Sequence, residues 1–374
     1  MRTILLNTVD RPSAGHTIEA LRYAQGFRVA NPDSEIHVAL SDRAVPVLTA
    51  ACPWISRTYA VDLDDFENPN VGIEALRDIP KEWDYIVDNI LDVPEENIPA
   101  DEQAILRYFE LTSSALTARV ARGSLYPNHD LPEGLSYAPR TRVTLDVPAG
   151  SRSLVARRYP YDGPKIAVML GGSIGRWYYP DTSSWIKIVA ALSDALPAAR
   201  FYLTGVRKPA GKTTYTAGYT DEDVAAVLAS APGVVDCYDI GLWNQVALFE
   251  SCDVLLSPST GFSWLALCVG TPWLTISGGY FPEYFFNDVP FYRLLPDDPD
   301  YPYRGVIDTT VDSPRLPCME PHNLDKKIPE IVMAAQLLME PSFTYDEAMA
   351  RHRTNVARAN VDRQRITVEP DPLF

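Results

Sequence analysis

Apolar positions along the chain fall into short continuous runs separated by stretches of helical spacing, and this rhythm occurs twice. Residues 3–7 (TILLN) are a short apolar run, followed by a loop with Pro12 and Gly15. Ile18, Leu21, Ala24 and Phe27 then recur at the spacing of one helix face until Asn31-Pro32 stops the helix. Residues 35–40 (EIHVAL) alternate as a second strand, 85–88 (YIVD) read as a further strand, and 102–122 as one long helix. Strand, helix, strand in this order implies a parallel sheet with helices on both faces.

Between 128 and 164 the pattern weakens. Pro132, Pro139, Pro148, Pro160 and Pro164 fall here, strand character is confined to 141–147, and the linker is expected at 151–164. The rhythm then restarts. A strand is predicted at 165–170, a tight loop at Gly171-Gly172-Ser173, and a helix through 185–196 capped by Asp181, Thr182 or Ser183. Strands follow at 200–204, 253–257 (DVLLS) and 273–276, with helices at 221–230, 243–251 and 261–269 and a final Arg-rich helix at 345–361. The fold class predicted is α/β, with two Rossmann-like doubly wound domains at 1–155 and 156–345. Residues 346–374 are expected as a C-terminal helix crossing back to the first domain.

The 374 residues fit two domains, and 46% hydrophobic residues suffice for two cores. A net charge of −16 repels phosphodiester backbones and anionic head groups, so no nucleic-acid partner is expected. One local cation or helix end still suffices for a nucleotide. No charged leader with an apolar stretch is visible, and no apolar run approaches the ~20 residues of a membrane span. The expectation is a cytoplasmic protein without integral membrane contact. Five scattered cysteines without a CxxC pair read as free thiols rather than a metal site.

The sharpest chemistry lies in 255–278 (LLSPSTGFSWLALCVGTPWLTISG). A strand ends in Ser257, and the turn Pro258-Ser259-Thr260-Gly261 opens onto a helix. Unpaired amides and about half a positive charge gather at such a helix start. Ser259 and Thr260 add hydroxyls, and Gly261 admits a ligand to the backbone. These residues suit a diphosphate cradle, and equally an ordinary capped helix.

The segment resembles the signature of the heptosyltransferase-like family, glycosyltransferase family 9. There a strand ends in Asp-Thr-Gly, followed by a His-Leu-Ala-Ala helix and a Gly-x-Pro turn. Thr260-Gly261, Leu265-Ala266 and Gly270-Thr271-Pro272 stand at the matching places. Residues 242–253 (LWNQVALFESCD) resemble the family's Leu-rich helix. MRTILLN, Ala14-Gly15, Ala20-Leu21 and 31–36 resemble its N-terminal strand, Gly-Asp loop and helix, and 85–88 its buried strand. Residues 171–180 (GGSIGRWYYP) with Trp185 resemble its second-domain phosphate loop.

The resemblance implies the GT-B architecture with a central cleft, and sugar transfer from a nucleotide diphosphate. It assigns the donor to Gly172, Ser173, Arg176, Thr204, Gly205, Leu242, Ser259, Thr260 and Gly261. Gly15, Thr17 and Trp264 fall on the acceptor side. Four positions depart from the pattern: His16 stands where the family's presumed base Asp follows Gly15, Ser259 replaces Asp, Trp264 replaces His, and Arg176 replaces Lys. These departures imply a changed donor sugar or acceptor.

His16 is the candidate general base, with Asp10 as fallback. Inverting transfer needs a group to take the acceptor proton, and an imidazole titrating near about 6.5 suits it. The bland reading is a helix N-terminal residue, where the dipole tolerates a neutral ring better than a charged one. Arg176 is the candidate for compensating diphosphate charge, against a surface arginine, with Arg207, Lys208 and Lys212 as alternatives. The acidic stretch beginning Asp62-Leu63-Asp64-Asp65 reads as solvated, so no metal is expected. The only small-molecule requirement expected is the co-substrate, an ADP-, GDP- or UDP-linked sugar. Trp177, Tyr178, Tyr179, Trp264, Tyr280, Phe281, Tyr284, Phe285 and Phe286 are expected around the cleft, for stacking or for domain packing.

The family implies ADP-heptose and a lipopolysaccharide-core acceptor, whereas the acidic surface suits a soluble small-molecule acceptor, a natural product. A sugar-nucleotide 2-epimerase and a non-catalytic nucleotide-sugar binding protein are the alternatives. The sequence leaves the oligomeric state open.

Overall fold

The computed structural model describes residues 1–9, 13–62, 76–88, 131, 133–139, 141–207, 216–278, 283, 285–303, 314–364 and 366. Asp10, the helix expected at 102–122, Asp64, Asp65, Lys208, Lys212, Tyr280, Phe281 and Tyr284 lie outside the described residues. The chain forms two compact units, Met1–Leu145 and Asp146–Asp371.

The first unit is built on parallel strands β1 (Thr3–Thr8), β2 (Glu35–Ser41), β3 (Arg57–Val61) and β4 (Tyr85–Asp88), ordered β3-β2-β1-β4. Ile4, Leu5 and Leu6 are all fully buried, because a parallel strand covered on both faces carries a continuous apolar run. Helix α1 (Ala14–Ala30) returns the chain to β2 and buries Ile18, Leu21, Ala24 and Phe27, the face read from the sequence. Asn31 caps its end, its amide and Nδ2 both donating to Phe27 O.

The second unit opens with α2 (Ala149–Arg158), in the stretch expected as a linker. Arg152 ties it to Glu250 through bonds of 2.7 and 2.8 Å. Residues 141–147 alternate buried and exposed as a strand would, but have no ladder. Then follow β5 (Lys165–Met169), α3 (Thr182–Ala195), β6 (Arg200–Gly205), α4 (Asp221–Leu228), β7 (Val234–Tyr238), α5 (Leu242–Glu250), β8 (Val254–Pro258), α6 (Ser263–Cys268), β9 (Trp273–Ile276), β10 (Phe291–Leu294), α7 (Pro321–Leu338) and α8 (Tyr345–Arg358). The strands form one parallel sheet, ordered β10-β9-β8-β5-β6-β7. This is the doubly wound order in which the chain starts at the centre, fills one side, then returns to fill the other.

Caps set the helix starts. Asp181 accepts from Ser184 N–H at 2.7 Å ahead of α3, as expected, and Thr220 with Asp223 forms a reciprocal capping box at α4. Helix α8, read from the sequence as crossing back, has its ring contacts within the second unit: Phe291 of β10 lies 5.9 Å from Tyr345 and 5.8 Å from His352.

One polar cluster is sealed in this unit. Arg293 Nε lies 2.5 Å from Glu283 Oε2, both side chains fully buried. Ser277 Oγ donates to the same carboxylate at 2.8 Å, and Arg293 Nη2 donates to Tyr301 at 3.0 Å. Removing one partner of a buried pair strands the other charge, so Arg293→Met is expected to lower stability by about 3–5 kcal/mol, read by urea denaturation.

In the first unit, His37 lies 3.2 Å from Tyr59 Oη and 3.5 Å from Glu35, with Trp83 edge-on at 4.9 Å. Burial pushes the imidazole below its ordinary value, against the opposing pull of Glu35. Below about pH 6.5 the unfolded chain takes up a proton that the folded ring refuses until its lower value is reached. Stability is therefore expected to fall with pH across that window. His37→Gln flattens the slope when denaturation midpoints are compared at about pH 7 and about pH 5.

Candidate active site

The strand order places β5 beside β8 at the middle of the second sheet. From β5 the chain moves toward β6, and from β8 toward β9, so their exit loops diverge. Such a switch point is where open α/β sheets present a crevice at the strands' carboxyl ends. The loop after β5 exposes Ser173, Ile174 and Arg176, and the turn after β8 leaves Ser259, Thr260 and Gly261 half-buried. The two loops touch closely: a Cβ on Gly172 would lie 3.1 Å from Thr260 Cγ2 and 3.0 Å from Tyr179 Oη. The contact joins Gly172 to Thr260; Ser173 and Arg176 share the loop of the first, and Ser259 and Gly261 the turn of the second.

A buried polar chain holds the β8 turn. Trp273 Nε1 donates to Ser257 Oγ at 2.9 Å, Ser257 Oγ lies 2.8 Å from Ser263 Oγ, and Ser263 Oγ lies 2.9 Å from Thr260 Oγ1. Helix α6 has six residues and starts at Ser263, shorter than the 261–269 read from the sequence. Gly261 and Phe262 belong to the turn, where Ser263 N–H bonds back to Thr260 O at 3.1 Å.

The β5 loop rests on Tyr179. Its hydroxyl accepts from Ile174 N–H at 3.3 Å. Burial pushes the phenol up to about 12, offset in part by the Ile174 and Gly172 amides. Trp177, Tyr178 and Tyr179 are buried in the core beneath this loop, so their rings pack rather than stack on a ligand. Arg176 is exposed, with its guanidinium 3.9 Å from Asp223. Asp223 is also held by Thr182 Oγ1 at 2.6 Å and Thr220 N–H at 2.9 Å; these hydrogen bonds and Arg176 outweigh desolvation and hold its carboxyl below the usual range. Arg207, the nearby alternative, is engaged by Asp236 at 2.7 Å, Asp239 at 3.0 Å and Asp221 at 3.5 Å.

Several expected site residues are elsewhere. Thr204 and Gly205 end β6 fully inside the fold. Gly205 abuts the Tyr238 ring, where a Cβ would come within 2.5 Å, so both serve packing. Leu242 is half-buried as the first residue of α5, on the β7 side. Trp264 is half-buried with its ring 5.3 Å from Phe285. In the first unit, Gly15 is buried, and the fully buried Thr17 donates its hydroxyl to Ala44 O. Thr17 is therefore a brace rather than an acceptor contact. His16 is half-buried in the first turn of α1, its Nδ1 3.1 Å from Ser13 Oγ. Sequence reasoning missed Ser263 and Asp223, and it placed Tyr179 among the cleft aromatics rather than beneath the loop. Only the Thr-x-x-Asp capping box at 220–223 carried a local signal.

No family model and no curated protein matches the chain. Solved structures share its fold. The crystal structure of the glycosyl transferase family 9 from Veillonella parvula is similar at TM-score 0.61 and 13% identity, over 91% of this chain and 98% of that one. E. coli ADP-heptose lps heptosyltransferase II is similar at TM-score 0.53 and 14% identity, over 90% and 100%. E. coli heptosyltransferase WaaC with ADP-2-deoxy-2-fluoro heptose is similar at TM-score 0.51 and 12% identity, over 88% and 99%. The fold likeness spans most of the chain and agrees with the motif resemblance.

Two glycines separate packing from backbone conformation. Gly218 has φ +83°, and a Cβ there would meet Arg176 Cα at 2.8 Å. Gly218→Ala is expected to cost about 1–2 kcal/mol or more, and Gly172→Ala less, since its nearest contacts are side-chain atoms. Paired chemical-denaturation curves give the order.

Proposed function

We propose that this chain transfers a sugar, with inversion, from a nucleotide diphosphate to a soluble small-molecule acceptor. The observation that carries the reading is the switch point of the second sheet, where an Arg-bearing loop and a Ser-Thr-Gly turn lie against each other and remain accessible. Loss of a nucleotide diphosphate builds negative charge on the leaving oxygens. Amides and hydroxyls of the 258–261 turn, with the Arg176 guanidinium, oppose that charge. Arg176 must leave Asp223 to do so, which costs little, because the contact is long at 3.9 Å and the arginine end is exposed.

The acceptor is assigned to the first unit, with His16 as base. In the tautomer whose Nδ1–H donates to Ser13 Oγ, 3.1 Å away, the ring's lone pair is on Nε2. The acceptor nucleophile bonds to the anomeric carbon as its proton passes to the imidazole, and the bond to the diphosphate oxygen breaks on the opposite face. The scheme uses no metal and no cofactor beyond the nucleotide sugar. Similar folds solved with ADP or named for ADP-heptose make ADP the first nucleotide to test, and GDP and UDP the next. The chain's charge of −16 favours a soluble acceptor over an anionic glycolipid surface.

A thermal-shift comparison of ADP, GDP and UDP tests the donor half. The matching nucleotide at about a hundred times its Kd adds roughly 2.7 kcal/mol, and silence from all of them refutes the reading. In turnover assays, His16→Ala is expected to lower kcat by about 10²–10⁴-fold while nucleotide affinity holds and EDTA has no effect. Transfer to lipopolysaccharide core with none to small acceptors overturns the acceptor assignment.

A further inference from the structure

At the carboxyl end of edge strand β10 lies a cavity of about 420 Å³. Strand β9 separates β10 from β8, which puts the cavity roughly 10 Å along the sheet edge from the β8 turn, at ~4.8 Å per strand. Neither Arg176 nor any residue of that turn lines it. One wall is a face of α7 carrying Lys326, Lys327 and Glu330. A second is the end of α8 with Arg358, and the third is the segment after β10 with Asp297 and Asp298. The floor is apolar, with Leu295, Pro296 and Cys318 buried.

The three cations and three carboxylates here balance in number, but only one of each is joined in an ion pair. Glu330 accepts from Tyr292 at 2.9 Å and from Lys327 at 3.0 Å. Asp298 accepts from Tyr303 at 2.8 Å and from Asp300 N–H at 3.0 Å. Lys326 has only a 3.4 Å contact with Asn323. Among the described residues, Arg358 and Asp297 bond to no other side chain. Lys326 and Arg358 thus face Asp297 and Asp298 across the opening, two cations and two carboxylates with no ion pair between them among the described residues. Arg358 complements the dipole at the end of α8, whereas Lys326 is the sixth residue of α7, beyond the first turn where a dipole acts. Helix electrostatics account for the first cation and not for the second.

We propose that this cavity binds a small hydroxylated anion of the sugar-phosphate class. Lys326 and Arg358 take the phosphate, Asp297 accepts hydroxyl protons, and the apolar floor meets a sugar face. The volume lies within the ~300–1,000 Å³ of small-molecule pockets. The site is independent of the nucleotide reading.

Calorimetric titration of the full chain with glucose 6-phosphate tests the proposal, with glucose and inorganic phosphate run in parallel. Saturable glucose 6-phosphate binding is expected, weakened by about tenfold or more in a K326A/R358A double variant. Both side chains are exposed, so an unchanged melting temperature shows that the variant is folded. Glucose and phosphate alone are expected to bind more weakly than the sugar phosphate. Absence of saturable binding at millimolar ligand, equal affinity in the double variant, or phosphate matching the sugar phosphate overturns the proposal. Titrations with ADP, GDP and UDP separate the two sites. Binding of one of these nucleotides without sugar-phosphate binding removes this inference alone, and sugar-phosphate binding with none of them removes the nucleotide reading alone.

Discussion

The pairing of β5 with β8 is the constraint on which the second unit depends. All of Val254–Pro258 is buried, and its register fixes Ile166 against Val254 and Val168 against Leu256. A slip of one residue would turn every side chain of the strand to the other face. Ser257 would then lose both Trp273 and Ser263, and the turn beyond it would lose its support. The divergence of the two exit loops, and the accessibility of the backbone between them, follow from that pairing.

Polar groups inside the unit reinforce the same edge. Pro258 pairs with Ile276, so Ser277 continues β9 alongside the start of the β8 turn. Ser277 is held by Glu283, which is held in turn by Arg293 of β10. A buried ion pair is costly to desolvate and is kept only where hydrogen bonds satisfy it. Here Ser277, Thr275 and Tyr301 supply bonds to the pair, and Arg293 Nη1 alone of its polar atoms has none among the described residues. The carboxyl ends of three neighbouring strands are thereby tied side by side.

The sequence showed these features unequally. Strands β1, β5, β8 and β9 were legible because full burial on both faces demands unbroken apolar runs. Strands β7 and β10 were not, since Asp236 and Arg293 interrupt them and their partners are distant in the chain. Helix α7 was hidden by Pro321 and by Pro329 within it, and α2 by the surrounding prolines. At the site, the Ser-Thr-Gly turn and the Gly-Gly-Ser loop could be read locally. Which threonines face inward could not: Thr17 and Thr204 have the chemistry of ligand contacts and the burial of core residues. Arg176 finding Asp223 is a long-range outcome of the sheet order, with no local trace.

The Tyr179 hydroxyl has a bearing on selectivity. It takes up the Gly172 and Ile174 amides of the β5 loop. On the proposed reading, an anion that used those amides would have to displace the phenol oxygen. On that reading a singly charged ion such as chloride would gain little from the exchange, and a multiply charged group reaching amides and guanidinium together would gain more.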